Sequence, residues 1–226
     1  LKNTLGTPIA KIEVKDGKGG LSSPTLVDKD LDGIVDIAYA GDRGGNMYRF
    51  DLSDSNPSKW SVSTIFEGQR PITSAPAVSR LADKRVVIFG TGSDLSEEDV
   101  VGTDQQYIYG IFDDDKGTGT VKVTVQNGTG GGLLEQVLSE ENKILFLTNN
   151  KASGGSNGKG WVVKLKEGGR VTVKPTVVLR TAFVTIRSYT GNDKCDAQTA
   201  ILGINTADGG ALTPRSARPI VPGDQV

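Results

Sequence analysis

Carboxylates recur at regular spacing along one short stretch of the chain, from position 28 to position 36. The stretch reads Asp-Lys-Asp-Leu-Asp-Gly-Ile-Val-Asp, with acidic residues at its first, third, fifth and ninth positions and glycine at its sixth. In calcium loops, alternate carboxylates point toward the ion, the glycine allows the sharp turn, and the seventh residue offers its carbonyl oxygen. The predicted Ca²⁺ ligands are therefore Asp28, Asp30, Asp32, Asp36 and the backbone carbonyl of Ile34.

An acidic turn without a metal is the alternative interpretation, because aspartate and glycine are common in turns. The strict alternation favours calcium, since a hard divalent cation prefers oxygen ligands and four carboxylates would repel one another without it. The loop differs from an EF-hand, because Tyr39 stands at its twelfth position in place of glutamate. The flanking segments 25–27 and 34–40 are β-branched and apolar. This pattern predicts a β-hairpin whose turn is the calcium site.

Composition excludes several function classes. A net charge of -1 and a pI of about 5.6 give no basic field for nucleic acid. No apolar run is long enough to span a bilayer. The 226 residues include no histidine, which removes the commonest general base, Ser-His triads and most zinc and copper sites. The single cysteine, Cys195, has no partner for a disulfide in this chain. We expect it to be a structural thiol or to pair with another part of the protein, and we expect no enzyme activity.

Short strands must position the loop, and they recur in a common order along the chain. About four units end near Asp51, Asp113, Lys166 and Asn205, a spacing of roughly 40–60 residues, which is the size of propeller blades. A small sheet has two faces to bury and can bury them against its neighbours around a ring. The sequence predicts an all-β protein, a modified β-propeller of antiparallel meander blades. We expect one partial propeller domain over residues 1–226, with further blades outside this chain.

Segments between and beside these units have their own predictions. Residues 9–14 and 133–141 are predicted as strands, and no helix is expected anywhere. The Gly-, Asn-, Ser- or acid-rich insertions are predicted to be surface loops, and the proline-containing tail is predicted to be extended and peripheral. These segments are 94–104, 113–132, 151–160 and 213–226.

Longer blocks of sequence resemble a known family. Ser23-Pro24, the D-K-D-L-D-G-I-V-D loop and the following Y-A-G-D-R-G-G-N-M-Y-R-F-D-L are similar to the C-terminal domain of type IV pilus tip proteins of the PilY/PilC family. The resemblance extends from about residue 22 to residue 210 and is most specific over 28–52. The chain departs from the family in having Lys164 and Lys166 in an outgoing strand, and in offering only part of a ring.

The resemblance implies a secreted, adhesin-like protein carrying a modified β-propeller. It implies that calcium at Asp28, Asp30, Asp32, the Ile34 carbonyl and Asp36 tunes pilus extension against retraction, twitching motility, host-cell attachment and virulence. It places the protein at the pilus tip on the bacterial surface, after export through the periplasm and outer membrane. The implied partners are minor pilins and host-cell receptors, with no nucleic acid and no membrane span.

Two other propeller classes are alternatives. A quinoprotein dehydrogenase also seats its cofactor on calcium, but binds that ion with dispersed residues of the central channel and would need a catalytic base. An integrin-like propeller would repeat the calcium loop in several blades, whereas one blade carries it here.

Other chemically suggestive residues have structural interpretations. The run 113–115 of three aspartates is predicted to be a solvated turn, because consecutive side chains on a strand cannot all face one ion. Arg43 and Arg49 are expected to make surface pairs with Asp42 or Asp51, which are worth little. The aromatic residues of the strands are expected to pack between blades; they are Trp60, Tyr107, Tyr109 and Trp161.

Overall fold

The structure, a computed structural model, describes residues 6–117, 119–124, 126, 128–152, 158–190 and 196–212. Fourteen strands and two short helices account for its regular elements. The strands are β1 (Thr25–Val27), β2 (Ile37–Gly41), β3 (Asn46–Asp51), β4 (Ser61–Glu67), β5 (Ala77–Arg80), β6 (Arg85–Gly90), β7 (Tyr107–Asp113), β8 (Val121–Lys122), β9 (Leu134–Glu141), β10 (Ile144–Leu147), β11 (Gly160–Lys164), β12 (Thr176–Val178), β13 (Thr181–Thr190) and β14 (Asp196–Asn205). The helices are a 3₁₀ turn at Pro57–Lys59 and α1 (Glu97–Val101).

The first sheet contains the predicted hairpin. Its strand order is β1-β2-β3-β4-β8, and β1 pairs antiparallel with β2 in a register that places Val27 opposite Ile37. Strand β2 is buried along its whole length, because its small and aromatic side chains pack on both faces of the sheet. The hairpin around residues 28–36 is thus confirmed.

The second sheet joins two of the predicted repeat units. Its order is β10-β9-β11-β7-β6-β5, and β11 pairs antiparallel with β7 and parallel with β9. Trp161, Val162 and Val163 are fully buried. Strand β11 is therefore apolar on both faces, as is typical of a strand in the interior of a sheet that is covered on both faces. The second and third units therefore share one sheet, and the described strands form three sheets where about four separate units were expected.

The third sheet, β12-β13-β14, packs against the second. One buried cluster lies between the first and second sheets, and another lies between the second and third. Alternate residues of β6 serve both clusters: Val87 and Phe89 face the first sheet, whereas Val86 and Ile88 face the third. Successive sheets therefore bury each other's faces, as the repeat pattern predicts.

Close packing between sheets depends on glycine at one central point. Gly110 in β7 lies under Trp161, and a Cβ atom at Gly110 would come within 2.1 Å of the Trp161 ring. The Trp161 ring cannot shift to make room, because it is fully buried and its Nε1 donates to the Thr206 carbonyl at 2.9 Å.

Several local predictions are confirmed and several are wrong. The segment predicted as strand at 133–141 forms β9. Residues 9–14 form no strand, and they alternate between exposed and half-buried positions. The acidic run at 94–104 contains α1, in which the Ser96 and Asp99 side chains cap the helix reciprocally. The insertion 113–132 contains β8, which pairs parallel with β4 and is anchored by the buried Val121.

Candidate metal centre

The predicted calcium loop is tied at both ends to the first sheet. The Asp36 N–H donates to the Val27 carbonyl at 3.0 Å, which closes the loop, and the Leu52 N–H donates to the Asp36 carbonyl at 2.7 Å. The Thr25 hydroxyl donates to the Pro76 carbonyl at 2.5 Å, which ties the hairpin to the segment before β5. These hydrogen bonds therefore fix the two ends of the loop.

Two left-handed residues curl the loop. Leu31 has φ of 66° and Gly33 has φ of 90°. A Cβ atom at Gly33 would meet nothing within 4 Å, so glycine is favoured there by backbone conformation and not by lack of space. The Leu31 side chain, which is 77% exposed, gains no packing that would offset its conformation.

Backbone N–H groups orient all four aspartates. Asp28 accepts from Leu31 at 2.6 Å and from Gly33 at 2.8 Å. The three other carboxylates each accept one bond from the loop backbone: Asp30 from Asp32 at 3.3 Å, Asp32 from Ile34 at 2.7 Å, and Asp36 from Lys29 at 2.6 Å. Backbone N–H groups thus bind one or both oxygens of each carboxylate, although the loop itself is largely exposed.

Three of the predicted ligands come together. Carboxylate oxygens of Asp28, Asp30 and Asp36 all lie within 4.8 Å of one another. Asp32 is outside this group, and the Ile34 side chain is 66% exposed, not packed as its apolar character would favour. Carboxylate and carbonyl oxygens are ligands that Ca²⁺ prefers and that softer metals do not. The donor set therefore fits a hard divalent cation, with Asp28, Asp30 and Asp36 best placed to hold it.

A network of charges lies beside the loop, where the first and second sheets meet. Arg49 Nε donates to Asp113 Oδ2 at 2.9 Å, and Arg49 Nη2 donates to Asp115 Oδ1 at 2.9 Å. Arg85 also donates to Asp115, and the Tyr39 hydroxyl donates to Asp113. These groups are largely shielded from solvent, with side-chain exposures of 15% for Arg49, 10% for Arg85 and 7% for Asp113.

Burial and pairing shift the pKa values of these groups. Burial raises the pKa of Asp115, but hydrogen bonds from Arg49 and Arg85 outweigh it and hold this pKa below its ordinary value. Burial and the neighbouring Asp113 charge raise the pKa of Tyr39 well above its usual range. The network therefore contains an ionised Asp115 and a neutral Tyr39 beside the two arginines.

The network corrects two predictions. The aspartate run 113–115 is only partly a solvated turn, because Asp113 is 6% exposed and Asp115, although exposed, pairs with two arginines. Arg49 does pair with Asp51, at 3.1 Å, but its other partners lie across the sheet interface. A signal was present in the sequence: Arg49 and Arg85 stand within apolar strand segments, and buried cations require buried partners.

Asp42 has a structural environment. It is 2% exposed and accepts bonds from the backbone of Lys18 at 3.0 Å and of Asn46 at 2.9 Å, and from the Tyr48 hydroxyl at 2.7 Å. Burial and the bond to Asp42 raise the pKa of Tyr48 to about 12. Asp42 therefore anchors the turn after β2 and is satisfied without Arg43.

The remaining singled-out residues are structural or lie outside the described residues. Tyr107, Tyr109 and Trp161 are buried between sheets as expected. Trp60 follows the 3₁₀ turn and donates from its indole to the Asp54 carbonyl at 2.8 Å. Cys195 and the tail 213–226 lie outside the described residues, as do positions 153–157 of the predicted loop at 151–160. Within the described residues, no helix is long and apolar enough to cross a membrane.

A family model and individual relatives of known name indicate the same family for this chain. A family model described as the PilY1 beta-propeller domain matches residues 1–151. Type IV pilus biogenesis factor PilY1 of Pseudomonas aeruginosa is 27% identical over 243 aligned positions, covering 83% of this chain and 20% of the relative. A PilY1 homolog of Xylella fastidiosa is 34% identical over 119 positions, covering 49% of this chain and 10% of the relative. The chain thus spans about a fifth or less of the length of these relatives.

A solved structure has the same fold. The crystal structure of the Pseudomonas aeruginosa PilY1 C-terminal domain superposes with a TM-score of 0.75 at 24% identity, covering 91% of this chain and 51% of that one. The all-β propeller architecture predicted from the repeat pattern is thereby confirmed.

Proposed function

The chain belongs to the PilY1 β-propeller family, and on that premise we propose that it is a calcium-binding module of a type IV pilus-associated protein at the cell surface. Calcium at the 28–36 loop supports pilus assembly, and with it twitching motility and attachment to host cells. The partners are other pilus proteins and host-cell surface molecules. The relatives named as type IV pilus biogenesis factors support the pilus role.

One observation carries the calcium part of the proposal: oxygens of Asp28, Asp30 and Asp36 lie within 4.8 Å of one another on a loop whose backbone N–H groups orient them. Like charges at such distances repel by about 1 kcal/mol per pair even in bulk water. A bound dication would attract each carboxylate and so offset the repulsion between them. Asp32 and the Ile34 carbonyl complete the proposed ligand set.

The proposed module binds and does not catalyse. Its carboxylates are contiguous in one exposed hairpin loop, unlike the dispersed channel ligands of a quinoprotein. The buried carboxylates Asp42 and Asp113 are engaged by backbone groups, tyrosines and arginines of the fold. The proposed role of the ion is therefore structural, because a bound dication would fix the hairpin in one conformation.

A pair of alanine variants tests the pilus role in the bacterium that makes this protein. Asp30→Ala removes a ligand whose bond from the Asp32 N–H is long, at 3.3 Å, so the fold should tolerate it. Asp83→Ala is the matched control, because Asp83 is 76% exposed and lies 3.8 Å from Lys84. Each variant is introduced into the full-length protein, and surface pili and twitching zones are measured.

The Asp30→Ala strain is expected to lose surface pili and to twitch over a smaller zone in calcium-replete medium, whereas the Asp83→Ala strain matches the wild type. Protein levels are compared by immunoblot. Wild-type piliation and twitching in the Asp30→Ala strain, at a wild-type protein level, would overturn the proposed role of the loop.

A further inference from the structure

Lys29 joins the calcium loop to the second sheet. Its backbone N–H donates to Asp36 Oδ2 at 2.6 Å, and its ammonium lies 3.4 Å from Asp115 Oδ2. One residue inside the loop thus contacts a proposed metal ligand through its main chain and the neighbouring sheet through its side chain. Asp115 lies two residues after the end of β7, so this contact crosses between sheets.

Asp115 is itself held by groups from both sheets. Arg49 on β3 and Arg85 on β6 both donate to its Oδ1 atom. Arg49 also binds Asp113 at the end of β7. The second oxygen of Asp115 therefore faces Lys29 from a fixed position, and the ammonium meets a carboxylate that is already oriented.

Tyr39 gives the same interface a second connection to the loop. It lies in β2, three residues after Asp36, and is fully buried. Its hydroxyl donates to Asp113 and accepts from Arg85 Nε at 3.2 Å. Both β2, which follows the loop, and Lys29 within the loop therefore contact the same group of residues. We call this group the interface cluster; it consists of Tyr39, Arg49, Arg85, Asp113 and Asp115.

We propose that Asp115 is a positioning residue for the calcium loop, and that Lys29 couples ion binding to the interface cluster. This inference rests on the proposed function, since it concerns regulation of the same site. Without the ion, the four loop carboxylates attract the Lys29 ammonium and compete with Asp115 for it. With the ion bound, the dication offsets half of the charge of the four carboxylates, so the loop attracts the ammonium less and its contact with Asp115 strengthens.

Linkage makes this coupling reciprocal. If calcium strengthens the contact between Lys29 and Asp115, then that contact strengthens calcium binding by the same factor. The pair is partly exposed, with side-chain exposures of 50% and 26%, so the factor is about two- to fivefold, the scale of such ion pairs.

A calorimetric cycle in the intact chain measures the coupling. Calcium is titrated into wild type, Lys29→Met, Asp115→Asn and the double variant, with Asp114→Asn as the matched control. Asp114 lies in the same turn and its carboxylate accepts a bond from the Lys116 N–H at 3.0 Å. Asp115→Asn should weaken calcium binding about two- to fivefold in the presence of Lys29 and change it little in the Lys29→Met background.

Equal effects of Asp115→Asn in both backgrounds would overturn the coupling, because long-range electrostatics alone gives additive changes. An Asp114→Asn effect as large as that of Asp115→Asn would overturn it as well. Absence of any calcium binding in the wild type would reject the proposed function together with this inference, whereas calcium binding with additive changes rejects the inference alone.

Hydrogen exchange reports the same coupling at the interface. The Asp115 N–H donates to Asp113 Oδ1 at 3.0 Å, so its exchange rate depends on the order of the 113–116 turn. Calcium should slow exchange in this turn several-fold in the wild type and in Lys143→Met, which changes an exposed lysine of the β9–β10 turn. The slowing should disappear in Lys29→Met while calcium still binds. Unchanged protection in Lys29→Met would contradict the proposal.

Discussion

At the scale of residues, the 28–36 loop concentrates negative charge where the backbone can orient it. Asp28 accepts two N–H bonds from the loop, whereas Asp30 accepts one long bond. The two side chains therefore differ in what they contribute to the apo fold, although both are proposed to bind calcium. The Asp28 side chain stabilises the turn in addition to its proposed role as a ligand, whereas the Asp30 side chain contributes little to the turn.

This difference predicts a stability effect of Asp30→Ala that changes sign with calcium. In chelator, the variant should be more stable than the wild type by about 0.5–1 kcal/mol, because one repulsive charge is gone. In millimolar calcium, it should be less stable, because the wild type gains binding free energy that the variant lacks. Chemical denaturation under both conditions measures the two differences, with Asp83→Ala expected to shift neither. The same sign in both conditions would contradict the ligand assignment.

At the scale of elements, the interface cluster connects the hairpin to the second sheet. Its pairs are more than surface contacts, because Arg49, Arg85 and Asp113 are each at most 15% exposed at the side chain. Removing one member leaves its buried partners with fewer counter-charges, which costs more than an exposed ion pair contributes. The position of the hairpin relative to β7 therefore depends on these ion pairs.

Asp115 should make the stability of the chain depend on pH in a predictable direction. Its folded-state pKa lies below the ordinary value of 3.8, so its contribution is fully present above that pH and is lost as the pH falls through the folded-state value. The free-energy difference between wild type and Asp115→Asn should therefore be constant near neutral pH and shrink below about pH 4. Urea denaturation from about pH 7 to pH 3 measures it. A gap that stays constant over this range would show that the carboxylate charge is not what stabilises the contact.

Local sequence predicted some of these elements and missed others for physical reasons. The hairpin was predictable, because its apolar flanks and its acidic loop are contiguous in sequence. The α1 helix also had a local signal, Ser96 followed by Asp99 and two valines, which the acidic character of the run obscured. The bond between Tyr39 and Asp113 joins residues 74 positions apart, and no local pattern encodes a pairing of that range.

At the scale of the whole molecule, three sheets stack so that neighbouring sheets bury each other's facing sides. Repetition of strands and turns predicted this architecture, because each unit alone could not bury its apolar faces. It did not predict that β11 would lie between β7 and β9, since strand order depends on tertiary pairing and not on strand pattern. The contiguous spacing of the loop predicted which carboxylates could converge, and three of them do, at Asp28, Asp30 and Asp36. The position of the loop against the second sheet was not predictable from that spacing.

Calcium binding at the 28–36 loop can be measured by calorimetric titration of calcium into the wild type, Asp30→Ala, Asp32→Ala and Asp83→Ala. Asp32 is included because it lies outside the group of three converging carboxylates. We expect one saturable site per chain in the wild type and in Asp83→Ala. Binding should weaken at least about tenfold in Asp30→Ala and Asp32→Ala, because each loses one carboxylate charge against a dication. No saturable binding by the wild type up to millimolar calcium, or wild-type affinity in both loop variants, would show that the 28–36 loop is not a calcium site.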